Sequence, residues 1–357
     1  MTPLVSVIVP TYRRPDLLKR CLDALLSQAF EPQEFEIIIA DDASSEETRA
    51  LVESFSIPVA LAPVNHAAGG FAFGNDADRL VKVRSRVAFA LQPAAPAIHY
   101  VPVTGLHGPA AARNAGLRVA AGEIIAFTDD DCIPAPDWLV RGVTAFIAGV
   151  DGVSGRVIVP LPENPTDYER EQLGLERSEF ITANCFYRRS VIDAAGGFDE
   201  RYPLAWREDS DLYFTLLERG LDLVLSPDPV VYHPIRPARW GISLYQQQKS
   251  QYNALCYKKH PGLYAARFRL RAPWFYYGIW AAVLAAAAGI VVGLSWLTWS
   301  GVLAYGLMVG GFAIQRLKGT SRRIRHVVEM VVTSMLIPFL SVYWRLRGAA
   351  RFRVWYF

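Results

Sequence analysis

The chain has 357 residues, room for one large domain and an appendage, since a domain commonly takes about 100 to 200 residues. A formal charge of +3 is too small to argue for nucleic acid, though its arrangement near the carboxyl end matters, and four scattered cysteines, Cys21, Cys132, Cys185 and Cys256, lack the paired spacings of zinc or redox sites. Hydrophobic residues make up 52% and mean hydropathy is +0.17, but the excess lies after Pro273, so a soluble part and an apolar part share the chain.

Met1 is followed almost at once by Val5-Ser6-Val7-Ile8-Val9-Pro10. That run lacks the length and basic flank of a signal peptide, so the amino-terminal domain is expected in the cytosol, a reducing compartment that suits free thiols. Leu4 to Val9 reads as a buried strand. After Pro15, Leu18, Cys21, Leu22, Leu25 and Leu26 recur at steps of three and four, the period of a helix packed on one face. Phe35 to Ala40 is a second strand, ending in Asp41-Asp42-Ala43-Ser44. Ser44 and Glu47 have capping-box spacing for a helix through about Phe55, and Ile57 to Leu61 reads as a third strand. Strands and helices alternating at this spacing imply βαβ crossovers and a largely parallel sheet.

From about Ala62 to Ile98 the regularity lapses, with Gly69-Gly70, Gly74-Asn75-Asp76 and Pro93-Ala94-Ala95-Pro96 around a basic amphipathic stretch, Leu80 to Leu91. A connection that long is either a functional lid or partner surface, or a spacer without chemistry. Order returns at Tyr100-Val101-Pro102-Val103, followed by a small-residue helix from Gly108 to Gly116. The run Glu123 to Thr128 then forms a strand that ends in Asp129-Asp130-Asp131. Ligands of open α/β sheets bind beyond the carboxyl ends of the strands, and three like charges there are costly unless neutralised. Hard carboxylate oxygens suit Mg²⁺ or Mn²⁺ bridging to phosphates. An acidic turn capping the next helix, marked by Pro134 and Pro136, is the competing reading.

Asp137 to Ala148 reads as a helix, Gly152 to Val159 and Phe180 to Tyr187 as strands, and Arg207 to Arg219 as a helix with an acidic start. Val230-Val231-Tyr232 is a strand that ends at His233, and Gln246 to His260 is basic and amphipathic. Pro273 to Leu294 is long enough to span a bilayer and starts with the aromatics Trp274 to Tyr277. Gly301 to Ile314 could return across. Arg267, Arg269 and Arg271 precede this hairpin, and Arg316, Lys318, Arg322, Arg323 and Arg325 follow it, which points both ends toward the cytosol. A third apolar run, Val327 to Trp344, holds Glu329 and Pro338 and precedes Arg345, Arg347, Arg351 and Arg353. A full crossing would export those arginines, so a re-entrant or interfacial helix is favoured over a third span.

Six motifs in order carry a family resemblance: Val5 to Arg14, Asp41 to Ser44, Ala112-Arg113-Asn114-Ala115-Gly116, Thr128 to Asp131, Gly196-Gly197-Phe198-Asp199-Glu200 and Arg207-Glu208-Asp209. Each alone is weak, but their succession from about Leu4 to Pro261 resembles the family 2 glycosyltransferases. The resemblance implies an α/β GT-A fold with a mostly parallel central sheet over residues 1–262, interrupted by the insertion at 62–98. An α-helical membrane region over 263–357 would follow, with a hairpin at 273–314 and a third membrane or interfacial helix at 327–344.

The same resemblance implies an inverting, hexosyltransferase-like enzyme that takes a sugar from a nucleotide-diphosphate donor. Pro10, Thr11, Tyr12 and Arg14 would line the nucleotide site. Asp42, or Asp41 beside it, would accept the base imide proton. Arg113 would lie near the phosphates or ribose, although a salt bridge to a neighbouring acid explains an arginine there equally well. The triplet matches a DXD motif: Asp131 and Asp129 would hold Mn²⁺ or Mg²⁺, with Asp129 also facing the ribose and Asp130 supporting the donor site. His233 would complete the metal shell, or would be a hydrogen-bonded structural residue. Asp209 would be the catalytic base, with Glu208 and Asp211 its nearest competitors, and Trp206, Glu208 and Asn184 would lie on the acceptor side; a buried amide bonded to backbone is the other reading of Asn184.

Processive members carry Gln-x-x-Arg-Trp, whereas this chain reads Arg236-Pro237-Ala238-Arg239-Trp240, which favours transfer of one or a few sugars. The expectation is a multi-pass inner-membrane protein with its catalytic domain in the cytosol, acting on a membrane lipid, lipid-linked acceptor or surface-polysaccharide precursor. The sequence sets no oligomeric state. The alternative is a non-catalytic membrane scaffold that retains a nucleotide-sugar-binding domain.

Overall fold

Val5–Thr11, β-branched at most positions and closed to solvent on both faces, forms β1 at the centre of the sheet in the computed structural model, which describes residues 2–56, 95–147, 149–268 and 272–355. Helix α1 (Pro15–Leu26) buries Leu18, Cys21, Leu22 and Leu25, the stripe that the sequence period marks. β2 (Phe35–Asp41) pairs parallel with β1 from Val5 opposite Phe35 to Thr11 opposite Asp41.

Helix α2 (Glu46–Ser56) follows, but its cap lies one residue later than expected. Ser44 is left-handed at φ 48° and donates to the Val103 carbonyl at 3.2 Å, while Ser45 Oγ accepts the Thr48 N–H at 3.2 Å. The strand expected at Ile57 to Leu61 and the helix expected at Leu80 to Leu91 lie outside the described residues. β3 (Ala97–Pro102) starts inside the stretch read as irregular, because it pairs parallel with β2 along its whole length, Glu36 opposite Ala97 through Asp41 opposite Pro102.

Helix α3 (Pro109–Val119) packs on β1 and β2, and β4 (Ile124–Phe127) joins β1 in parallel on the side away from β2. The short β5 (Ile133–Pro134) and α4 (Trp138–Thr144) come next, then β6 (Gly152–Ile158), α5 (Asp167–Glu171), β7 (Cys185–Arg188) and α6 (Arg189–Ala195). The strand expected from Phe180 is confined to its last residues. Phe180 is left-handed at φ 52° and donates its N–H to Ser154 Oγ, so extended backbone starts only at Cys185.

Helix α7 (Glu208–Glu218), β8 (Leu223–Tyr232), α8 (Ile242–Gln246), α9 (Asn253–Lys259) and α10 (Pro261–Phe268) complete the domain. Among the described residues eight strands run in the order β3-β2-β1-β4-β7-β6-β8-β5. From β3 to β4 the pairings are parallel; β7 is antiparallel to both β4 and β6, and β5 is antiparallel to β8, so the sheet is mixed. The acids at the carboxyl ends of β2 and β4 therefore gather along one edge of it, beside Thr11 to Arg14 at the end of β1.

Among the described residues three helices are long and apolar enough to cross a membrane: α11 (Trp274–Val292), α12 (Ser295–Leu317) and α13 (Ile324–Phe352). α11 and α12 form a hairpin at close approach. A Cβ on Gly301 would lie 2.6 Å from the Ala282 carbonyl, the small-residue contact by which apolar helices associate in lipid. Leu284, Ile290, Val291, Leu303 and Leu307 point outward, an apolar surface that water would not tolerate as a bare face.

Helix α13 behaves differently. It runs unbroken through Pro338 for 29 residues and is bonded to the amino-terminal domain along its length. Near its start the Asp167 N–H donates to His326 Nε2 at 3.4 Å, and the Gly241 N–H donates to Glu329 at 2.7 Å. At its far end Gly348 packs on the Gln251 backbone and Lys258 Nζ donates to the Phe352 carbonyl at 2.8 Å.

Candidate active site

The carboxyl ends of β1, β2 and β4 deliver the residues that the motifs single out. Asp41, fully buried at the end of β2, accepts the Ala43 and Ser45 N–H groups at 3.0 and 2.7 Å and the Tyr100 hydroxyl at 3.0 Å. That leaves it as the brace of the turn. Asp42, beside it and nearer solvent, accepts the Gly108 N–H at 3.0 Å and lies 3.0 Å from His107 Nδ1, so it is the member of the pair at the open edge. Pro10 is half-buried, and Tyr12 is exposed at the end of β1 with the Arg13 guanidinium 5.4 Å above its ring.

The triplet after β4 divides by partner. Asp130 is buried, accepts Thr11 Oγ1 at 2.7 Å and pairs with Arg14 at 3.1 Å. Burial pushes its carboxyl up to about 6, against the pull of Arg14. Asp129 pairs with Arg113 at 2.8 Å. Asp131 faces His233, whose Nε2 is 3.6 Å away, and Arg236, whose Nε is 2.9 Å from Oδ2.

Ligand atoms of Asp129, Asp131, Cys132 and His233 all lie within 4.8 Å of one another. Asp131 Oδ2 has an ion pair but no hydrogen bond, and His233 Nδ1 has no hydrogen-bond partner among the described residues. Buried polar atoms without hydrogen bonds need an explanation, and a divalent cation supplies one. Two carboxylates and an imidazole suit Mn²⁺ or Mg²⁺. Cys132 does not join them readily, because burial and the surrounding carboxylates push its thiol well above the ordinary range and keep it neutral.

Arg113 is not directed at open space. It is 3% exposed and forms a double ion pair, with Asp129 at 2.8 Å and with Glu208 at 3.1 Å. Of the two readings the sequence leaves open, the structure has the salt bridge. Glu208 also accepts the Trp206 N–H at 2.7 Å. Asp209, half-buried in the first turn of α7, accepts the N–H and hydroxyl of Ser210 at 2.6 and 3.3 Å. Burial raises its carboxyl, opposed by Ser210, Arg113 and Arg207, and a raised carboxylate is the better base near neutral pH. α3, β4 and the start of α7 thus hold one chain of charges that runs from Asp129 through Arg113 to Glu208, the neighbour of Asp209.

Trp206 is partly exposed at the mouth of the site and donates Nε1 to Asn253 at 2.8 Å. Asn184 is elsewhere in kind. Its amide is fully buried, accepts Trp138 Nε1 at 2.9 Å and donates to the Arg156 and Pro229 carbonyls at 2.9 Å, so it ties β6, β7 and β8 together. The amide bonds of Asn184 are spent within the protein, a structural role with nothing offered to an acceptor. Sequence reading missed Arg236 as a site residue, although it stands where the processive signature has glutamine. It also missed Arg207 and Asn253, for which the sequence gives no local signal.

A family model described as "Glycosyl transferase family 2" matches residues 6–71 and 75–198, and one described as "Glycosyl transferase family group 2" matches residues 170–314. Among curated proteins, "Glycosyltransferase AglE" of Haloferax volcanii is 28% identical over 247 residues, 66% of this chain and 68% of that protein. "Validoxylamine A glucosyltransferase" of Streptomyces hygroscopicus subsp. limoneus is 23% identical over 73% of this chain and 58% of its own length. A Campylobacter jejuni "GalNAc(5)-diNAcBac-PP-undecaprenol beta-1,3-glucosyltransferase" is 28% identical over 52% of this chain and 47% of its own. The latter two are thus matched over less than two thirds of their length. The solved mannosyltransferase PcManGT of Pyrobaculum calidifontis, in complex with GDP-Man and Mn²⁺, shares the fold at TM-score 0.50 and 18% identity, over 99% of this chain and 88% of that one.

Proposed function

The chain belongs to glycosyl transferase family 2 and has the GT-A fold, and on that premise we propose that it transfers a sugar, with inversion, from a nucleotide-diphosphate sugar to a lipid-linked or surface-polysaccharide precursor at the cytosolic face of the inner membrane. The observation that carries this reading is the charge chain from Asp129 through Arg113 to Glu208, with Asp131 next to one end and Asp209 next to the other, which supports a donor-phosphate site beside a candidate base. Two similar proteins support the substrate classes: the Pyrobaculum fold neighbour, solved with GDP-Man, and the Campylobacter enzyme, named for an undecaprenol-linked glycan.

Asp209 takes the proton of the acceptor hydroxyl as its oxygen attacks the anomeric carbon. The bond to the diphosphate breaks with its electron pair leaving on the phosphate oxygen, and one displacement inverts the centre. Asp42 and Tyr12 face the base and Asp129 the ribose. Asp131, His233 and Asp129 would hold a divalent cation, Mn²⁺ or Mg²⁺, which when bound would offset the charge that develops on the leaving diphosphate. Arg236 beside Asp131 adds a guanidinium on the same side. Trp206 at the mouth offers a ring for the acceptor sugar.

The hairpin α11–α12 anchors the enzyme in the bilayer, whereas α13 lies along the interface. A helix of 29 residues is about 43 Å long, enough to cross, but bonds to the catalytic domain at His326, Glu329, Gly348 and Phe352 keep both of its ends on one side. Its outward stripe of Ile324, Val328, Val331, Met335, Tyr343 and Leu346 suits the acyl boundary, and Arg347 and Arg353 suit anionic headgroups.

The test is transfer by purified enzyme in lipid nanodiscs, with a panel of UDP-, GDP- and dTDP-hexoses, Mn²⁺ or Mg²⁺, and extracted membrane lipid as acceptor. Radiolabel in the lipid phase that Asp209→Asn abolishes is the expected result. Transfer to soluble acceptors alone would overturn the lipid-linked assignment, and an undiminished Asp209→Asn rate would overturn the base.

A further inference from the structure

Arg207, immediately before the Glu208-Asp209 pair, is the N-cap of α7 and holds a left-handed backbone, φ 75° and ψ −7°. For an arginine this conformation is strained and persists only where the surroundings enforce it. The enforcement is visible. The guanidinium carbon lies 3.6 Å from the centre of the Phe268 ring, 4.9 Å from that of Trp206 and 6.0 Å from that of Tyr264. Its Nε donates to Asn253 Oδ1 at 2.8 Å, the same oxygen that accepts Trp206 Nε1.

Phe268 and Tyr264 belong to α10, the last helix before α11 enters its apolar run, and Asn253 opens α9. Cation–π contacts at a site this enclosed add to the hydrogen bond, and their geometry depends on the ring faces. The strained residue that aims the first turn of α7 is therefore clamped by the helix that leads into the membrane anchor.

We propose that Arg207 is a positioning residue through which the seating of Pro261–Phe268 on the catalytic domain sets the direction of Asp209, so that base competence depends on the anchored state. The inference rests on the assignment of Asp209 as base. When α10 lifts, the aromatic faces leave the guanidinium, the left-handed turn relaxes, and Glu208 and Asp209 lose their aim. Arg207, Arg113 and the Ser210 amide are the groups that favour the Asp209 carboxylate, and only the first answers to α10.

The experiment uses the full chain in lipid nanodiscs, comparing wild type with Phe268→Leu, Arg207→Lys and Phe268→Tyr. Without any substrate, hydrogen exchange across residues 205–212 should speed up about 10-fold or more in the first two variants and stay at the wild-type rate in Phe268→Tyr. In transfer assays kcat should fall about 10-fold or more with donor KM within about twofold, and the acid limb should move to higher pH. Exchange and kcat at wild-type levels in Phe268→Leu and Arg207→Lys would overturn the coupling. Exchange is read without turnover, so a coupling that holds while Asp209→Asn remains active would sink the base assignment alone. Should Arg207→Lys unfold, Phe268→Leu, changed on a half-buried position of α10, decides the matter.

Discussion

Arg113 and Glu208 form a buried ion pair at 3.1 Å, with side chains 3% and 4% exposed and 95 positions apart in sequence. The other fork of Arg113 holds Asp129 at 2.8 Å, so one guanidinium neutralises two carboxylates. Removing one partner of such a pair leaves an uncompensated buried charge, at a cost of about 3–5 kcal/mol. Arg113→Met should therefore lower stability by about that amount. Adding Glu208→Gln should recover part of it. Thermal unfolding in detergent measures both, and a single-variant loss below about 1 kcal/mol would mean that the pair holds nothing together.

Asp131 has the opposite balance between folding and function. Its Oδ2 lacks a hydrogen bond inside the protein, so Asp131→Ala should cost little stability while the gain on adding Mn²⁺ with UDP or GDP disappears. A 10²-fold or larger loss of transfer, of the order of removing one stabiliser of developing charge, should accompany it. The thermal shift with cation and nucleotide checks the first part. A shift equal to that of wild type would remove Asp131 from the metal site.

Glu208 gives stability a pH dependence with a definite sign. Burial first, then repulsion from Asp209, push its carboxyl from 4.5 up to about 7, against Arg113. The folded chain binds this proton more tightly than the unfolded one. The Glu208 share of stability is then fully present below pH 4.5 and is lost as pH rises through about 7. Glu208→Gln, neutral throughout, should show a shallower decline in melting temperature from pH 5 to 8, the difference curve reporting the joint titration of Glu208 and its neighbour Asp209. Parallel curves would show that Glu208 titrates as it does in water.

Local pattern is what the sequence makes legible. Buried runs such as Val5 to Val9 and Phe35 to Ala40 lie where β1 and β2 lie, and the acids that end β2 and follow β4 mark the working edge of the sheet. What escapes depends on partners distant in the chain. Nothing near Asn184 says that its amide faces Trp138 and the Pro229 carbonyl, and nothing near Phe180 announces a left-handed residue. Apolarity bounds the last helix at Val327 and Trp344, where charges begin. The structure carries α13 through those charges, because Glu329 accepts the Gly241 N–H and Arg351 reaches the Tyr252 hydroxyl at 3.3 Å.

That same helix carries the last prediction. By apolarity α13 qualifies as a third crossing, and a crossing would put a reporter fused after Phe357 outside the cell. A crossing would also break the bonds of one end or the other with the catalytic domain, since His326 meets Asp167 near the start and Lys258 holds the Phe352 carbonyl near the finish. Arg316, at the end of α12, tightens the same seam: it pairs with Asp167 at 2.6 Å and donates to Thr333 on α13 at 2.6 Å. The reporter should therefore read cytosolic. The thiols introduced by Val331→Cys and Leu346→Cys, on the outward stripe, should resist an aqueous thiol reagent in membranes and react once detergent replaces lipid. An external reporter, or equal labelling of both variants in lipid and in detergent, would make α13 something other than an interfacial helix.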